Sequence, residues 1–296
     1  MRRSVALALF ALVLAACGSS SGRHSAPAGH ASRGSLGALW RAGGEAVALI
    51  DGTFDYSPGT VRVSFLVIRR NARPVYAPRA RVFLARSLVA RPFERTWAAL
   101  EPVGTSGAVH IFVARVRIAR PGRYWIVAAP LRSRVRGLGT LDVHASSASP
   151  ALGSRAYPSR TPTIASTHGD FAQLTTRVPP DRGLLRYSIA DSLAARKPFV
   201  VVFATPKFCT SRTCGPTVDV VDAVRRRFVR TDVRFIHVEV YRRNDPSLGL
   251  NRFMHEWRLP TEPWTFLVGA DGRIKAKFEG AVSVLELAAA VRRTLL

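Results

Sequence analysis

The stretch Pro198-Phe199-Val200-Val201-Val202-Phe203-Ala204-Thr205-Pro206-Lys207-Phe208-Cys209-Thr210-Ser211-Arg212-Thr213-Cys214-Gly215-Pro216 decides how this chain is read. Its first half is a continuous apolar run, the pattern of a strand covered on both faces. Gly215-Pro216 then opens a helix predicted to run to about Arg230, because proline is tolerated in a first helical turn. Two cysteines with four residues between them therefore lie between a buried strand and a helix start. Thiolate is the nucleophilic form of cysteine. A helix N-terminus favours it, since backbone N–H groups and the helix dipole stabilise negative sulfur.

Outward from this stretch the chain alternates strand and helix. Ser188–Arg196 is a short predicted helix, Val233–Tyr241 a strand and Ser247–Trp257 a helix ended by Pro260. Trp264–Gly269 and Arg273–Phe278 form a predicted hairpin around Ala270-Asp271-Gly272. Ser283-Val284-Leu285-Glu286 is a capping box that starts the last helix.

This order, with the cysteines after the first core strand, resembles the thioredoxin-like superfamily, in particular its membrane-attached thiol–disulfide oxidoreductases. Pro263-Trp264-Thr265-Phe266-Leu267-Val268 followed by Asp271-Gly272 is similar to the cis-proline strand of that family. The resemblance implies an α/β thioredoxin-like domain over residues 168–296 and a redox-active disulfide between Cys209 and Cys214. It implies that one cysteine attacks a substrate disulfide while the other resolves the mixed disulfide, with Pro263 beside them. By position after the strand, the attacking role falls on Cys209. Gly215-Pro216 marks Cys214 as the residue at the helix start, so the two assignments stay open. The family spacing is two residues and here it is four. Glu262 and Trp264, which flank Pro263, are candidates to shape a substrate groove. Sco-like copper chaperones share the implied fold, so a non-enzymatic Cu(I) carrier is one alternative, and a redox-inert binding module is another. His237 and His255 are read as structural, and no metal ligand set is assigned. No phosphate loop, dinucleotide fingerprint or zinc spacing occurs, so no cofactor is expected.

The N-terminus reads as an export signal. Arg2-Arg3 precede the apolar run Val5–Ala16, which is shorter than the roughly 20 residues a membrane span requires. Leu14-Ala15-Ala16-Cys17 resembles the bacterial lipobox, which implies lipidation of Cys17. Residues 1–17 are then signal peptide and anchor, and Gly/Ser/Ala-rich residues 18–35 a tether. The expected location is the outer face of the cytoplasmic membrane, in the cell envelope. The expected partners are the membrane, through the lipid, and exported protein thiols or disulfides. An extracytoplasmic setting permits disulfides.

Residues 36–145 read as all-β, with strands at Ala46–Ile50, Val61–Ile68, Arg81–Ala85, Val109–Ile118, Tyr124–Ala129 and Leu138–Val143. Pro121-Gly122-Arg123-Tyr124-Trp125 resembles a late strand of immunoglobulin-like domains, so a β-sandwich is expected. The acids and histidines of this block show no catalytic or ligand spacing. Residues 146–167, rich in Ser, Ala, Pro and Thr, read as a linker between the two blocks. The chain carries 44 Lys and Arg against 19 Asp and Glu, a formal charge of +25. The basic residues are nearly all scattered arginines without a nucleic-acid-binding motif, so nucleic acid is not an expected partner. Such a surface favours anionic membranes.

Overall fold

A computed structural model describes residues 33–107, 109–211 and 213–296. The expected signal peptide, the expected lipidation site Cys17, most of the expected tether and Arg212 lie outside the described residues. The described residues fall within one compact unit. No helix among them is long and apolar enough to cross a membrane.

The first block starts with a short helix at the end of the expected tether. Ser35 accepts the Ala38 N–H at 3.3 Å and caps α1 (Leu36–Arg41). Seven strands follow: β1 (Glu45–Asp51), β2 (Gly59–Val67), β3 (Arg79–Ala85), β4 (Glu94–Val103), β5 (Val109–Ile118), β6 (Gly122–Pro130) and β7 (Val135–Val143). Alternate residues point inward, as a period of two requires. Val63, Phe65 and Val67 of β2 meet Phe112, Ala114 and Val116 of β5 in the core, with Tyr124 and Ile126 of β6.

This block is not the immunoglobulin-like sandwich expected from the sequence. The strands close into a barrel in the order β1-β2-β5-β4-β3-β6-β7. Closure comes from β1, which pairs antiparallel with β2 and parallel with β7, Glu45 to Ala48 lying opposite Val135 to Leu138. Full closure removes the free edges that a sandwich leaves. Inward/outward alternation is the same in both architectures, so the pattern that located the strands did not distinguish them. Strand β4 was not anticipated. Only Ala98 and Val103 of its ten residues are buried, so it lacks an alternating apolar signature.

The second block comprises α2 (Ile189–Ala194), β8 (Phe199–Phe203), α3 (Cys214–Arg227), β9 (Arg234–Val238), α4 (Arg252–Glu256), β10 (Trp264–Val268), β11 (Ile274–Glu279) and α5 (Val284–Thr294). Its sheet runs β11-β10-β8-β9. Only β8 and β9 are parallel. All five residues of β8 are buried because both faces are covered. Val200 and Val202 pack with Val218 and Val221 of α3 and Leu287 of α5. Phe199, Val201 and Phe203 pack with Ile189, Met254 and Trp257 on the other side.

The expected α/β thioredoxin-like classification is likewise corrected. Among the described residues the chain is β-rich, with a closed seven-strand barrel, eleven strands in all and five short helices. The helix expected over 247–257 shrinks to the five residues of α4. Pro246 starts a separate 3₁₀ turn that Gly249, at φ 75°, terminates, and Asn251 then caps α4.

The two blocks meet through polar contacts. The Arg62 guanidinium of β2 forms a bidentate pair with Glu286 of α5, both contacts at 2.9 Å, and donates to the Ala281 carbonyl at 2.8 Å. The Glu279 carboxylate accepts the N–H groups of Phe54 and Asp55 at 2.7 and 2.8 Å. Lys277 donates to Ser147 and Ser149, whose hydroxyls donate in turn to Asp55. Burial lowers the Lys277 pKa against the opposing pull of Asp55 and Glu279. Residues 146–167 thus run along the second sheet, where Arg155 also bridges Arg273 and the Ser159 hydroxyl donates to Glu256.

Candidate dithiol site

Cys209 and Cys214 form a disulfide with their Cα atoms 5.9 Å apart. That separation is within the roughly 7 Å limit for bridging without backbone movement. Strand β8 delivers the loop that carries Cys209, and α3 begins at Cys214 itself. The two sulfurs differ in environment. Cys214 is fully buried in the α3–α5 side of the core, whereas Cys209 is partly exposed. Cys209 Sγ accepts the Cys214 backbone N–H at 3.3 Å and lies 3.3 Å from the Ser211 hydroxyl. The helix start therefore donates its first N–H to the accessible sulfur, although that sulfur belongs to the residue five positions earlier. Cys209 is thus the reachable sulfur of the pair, and the N–H at the start of α3 acts on it.

Pro263 is buried at the entrance to β10, preceded by a cis peptide bond from Glu262, and its carbonyl accepts the Gly280 N–H at 2.8 Å. The structure places Glu262 rather than Trp264 at the dithiol. Trp264 is buried, stacks on Phe266 and donates its indole N–H to Thr261. Cys209 Sγ, Cys214 Sγ and a Glu262 carboxylate oxygen lie within 4.8 Å of one another. Among the described residues these are the donor atoms close enough to share a metal ion. His237 is not with them: its buried ring donates through Nε2 to the Ala204 carbonyl at 2.9 Å. His255 is exposed on α4.

Glu262 accepts the Thr205 N–H at 3.1 Å. Burial pushes its carboxyl up from the ordinary 4.5 to about 7; the Thr205 bond opposes the shift and the charge of Glu239 adds to it. Glu239 is buried on the strand side of the site, where one oxygen accepts the backbone N–H and the hydroxyl of Thr176 at 2.6 and 2.8 Å. Its other oxygen has no partner. The Thr176 hydroxyl also accepts the Lys207 N–H at 3.1 Å, fastening the dithiol loop to the segment before α2. An accessible sulfur, a buried sulfur and a proton-holding carboxyl thus share one small volume. Sequence reading found the cysteines but not this role for Glu262. A lone acid beside a proline carries no signal until the fold buries it against sulfur.

No protein-family model matches the chain, and no curated protein matches it.

Proposed function

We propose that the protein is a thiol–disulfide oxidoreductase of the cell envelope, held at the outer face of the membrane by lipidated Cys17, whose Cys209–Cys214 pair exchanges with exported protein thiols or disulfides. The observation that carries this reading is the asymmetry of the pair: Cys209 is reachable and receives a helix N-terminal N–H, while Cys214 is sealed beneath it. In the reducing direction the Cys209 thiolate attacks one sulfur of a substrate disulfide, forming a mixed disulfide and releasing the other sulfur as thiolate. The Cys214 thiol gives its proton to Glu262 in its ionised carboxylate form, which predominates above about pH 7, and attacks Cys209 Sγ, displacing the substrate's second sulfur as thiolate. The substrate leaves as a dithiol and the protein as the disulfide, two electrons having passed to the substrate. The same steps reversed oxidise a substrate dithiol.

A test follows from the sulfur environments. In the reduced protein Cys209 should alkylate with a midpoint below the free-cysteine pKa of about 8.5, and Cys214 should resist alkylation. Equal reactivity of both thiols at the level of an exposed peptide cysteine, together with a disulfide that resists mild dithiol, would leave only a structural cross-link. Stoichiometric Cu(I) binding by the reduced protein, lost in both single serine variants, would replace exchange with the carrier reading. Anchoring is tested separately. Cys17→Ser expressed in a host that processes lipoproteins should leave the membrane fraction, and co-fractionation with the parent would remove the anchor from the proposal.

A further inference from the structure

A groove of about 830 Å³ runs beside the dithiol, and its lining includes Lys207 and Phe208, just before Cys209, and Gly215, just after Cys214. The opposite wall comes from residues 171–180 and from the turn at Arg243-Asn244. Its charge is one-sided. Arg177, Lys207 and Arg243 reach it, with Asp219 as the acid among the lining residues. Asp219 is already neutralised by Arg177, whose Nη2 lies 2.8 Å from its carboxylate. Lys207 lies over the Phe208 ring, 5.2 Å from its centroid, and both Lys207 and Arg243 are exposed and form no ion pair with the described residues. Two cations without an ion-pair partner among the described residues therefore line the groove, together with Phe171 and Phe208.

The wall that carries Arg243 is built rather than loose. Arg243 and Asn244 both adopt left-handed backbone, at φ 51° and 57°. This conformation is uncommon for residues other than glycine, and for arginine it persists only where the surroundings impose it. Here Asn244 donates through Nδ2 to the Ala172 carbonyl at 2.7 Å, and the Arg242 guanidinium donates to the Leu248 carbonyl at 2.5 Å. The first bond ties the turn to the 171–180 segment beside it and the second closes the turn on itself, so the backbone at Arg243 is held in place.

We propose that this groove selects acidic polypeptide segments, so that the preferred substrates are proteins whose exchanging cysteine is flanked by Asp or Glu. The proposal rests on the exchange reading for its chemistry, while the groove's charge stands independently of it. A carboxylate on a substrate lying beside Cys209 meets Lys207 on one side and Arg243 on the other. A basic segment meets two unpaired like charges. Such selection acts mostly through encounter and orientation, and salt weakens it because the screening length is only about 10 Å at 0.1 M.

Two disulfide-bonded peptides, identical except for Glu or Lys beside the cysteines, are reacted with the reduced full chain and quenched for mass spectrometry. The acidic peptide should react about tenfold faster or more at low ionic strength, where two opposed charges act in concert. The ratio should shrink towards one in high salt. In the double variant Lys207→Glu/Arg243→Glu the ratio should fall below one. The ratio is the readout because it cancels any change in the thiolate itself. Equal rates for the two peptides, or an unchanged preference in the double variant, would overturn the proposal. The exchange reading is checked separately with uncharged 2-hydroxyethyl disulfide and with serine versions of both peptides in a binding titration. Charge-selective binding without any exchange would sink the oxidoreductase reading and keep the groove; exchange without charge selectivity would do the opposite. Anionic vesicles that bind the parent and not the double variant, with no peptide preference in either, would reassign the groove to a lipid surface and overturn the proposal.

Discussion

Cys209→Ser should abolish exchange, and Cys214→Ser should accumulate a covalent adduct with substrate that dithiol releases. The two variants lose the same cross-link, and Cys214→Ser should lose the more stability because its hydroxyl replaces a fully buried sulfur. A loop closed over six positions constrains the unfolded chain by about 2 kcal/mol in the chain-entropy account. Their chemistry should also diverge. With Cys209 alone, the reachable sulfur still receives the N–H at the start of α3 and still attacks, but no second thiol resolves the mixed disulfide. With Cys214 alone, the remaining sulfur is fully buried and no substrate disulfide reaches it. Turnover should drop about 10³-fold or more in both, as expected when a nucleophilic group is removed. Only Cys214→Ser should yield the adduct on non-reducing gels. Adducts through Cys214 in the Cys209→Ser protein would reverse the roles, and adducts in neither would reduce the pair to a structural bridge.

Glu262→Gln should stabilise the oxidised protein above neutral pH while slowing resolution of the mixed disulfide. In the folded disulfide form the Glu262 carboxyl keeps its proton up to about pH 7, whereas the unfolded chain releases it near the ordinary 4.5. Between these values the folded state binds more protons than the unfolded state. Stability therefore falls as pH rises through that window, and the loss is complete above about 7. The shift corresponds to about 3 kcal/mol at one pKa unit per 1.4 kcal/mol, and partial solvent access brings the expected effect to about 1–3 kcal/mol. Glutamine cannot ionise, yet its Oε1 still accepts the Thr205 N–H. Urea unfolding at pH 8 should show the variant as the more stable protein, and at pH 4 the two should coincide. Resolution should slow about 10²-fold, the lower range for loss of a general base, and its inflection near pH 7 should vanish. A variant that matches the parent in stability at pH 8 would show that the carboxyl is not held protonated. An unchanged resolution rate would show that Cys214 loses its proton elsewhere.

Much of the local structure was legible. The apolar run of β8, the Gly-Pro start of α3, the Asp271-Gly272 hairpin and the Ser283 cap of α5, whose hydroxyl accepts the Glu286 N–H at 3.0 Å, are each dictated by nearest neighbours in sequence. The failures also have local causes. Strand β4 buries too little to show a period, and α4 was over-extended back across Gly249 into the 3₁₀ turn that Pro246 starts. The architectures inferred above that level did not hold. A strand's alternation states which face is buried but not which strand lies beside it.

The sequence by itself determined most of the strands and helices, β4 and the extent of α4 excepted, and that two of the three cysteines sit together between a buried strand and a helix. These features depend on backbone preferences and on spacing within a few residues. Only the tertiary structure decided that β1 and β7 meet to close a barrel, that Cys209 is reachable while Cys214 is sealed, and that Glu262 reaches both sulfurs from 48 positions beyond Cys214. The same holds for the pairing of Arg62 with Glu286 and for the basic groove that gathers Arg177, Lys207 and Arg243 from three separate segments. Each of these depends on burial and electrostatic proximity between residues far apart in the chain. Solvent exclusion and charge–charge distance are set only when the chain has folded, so they leave no mark in the local pattern of residues.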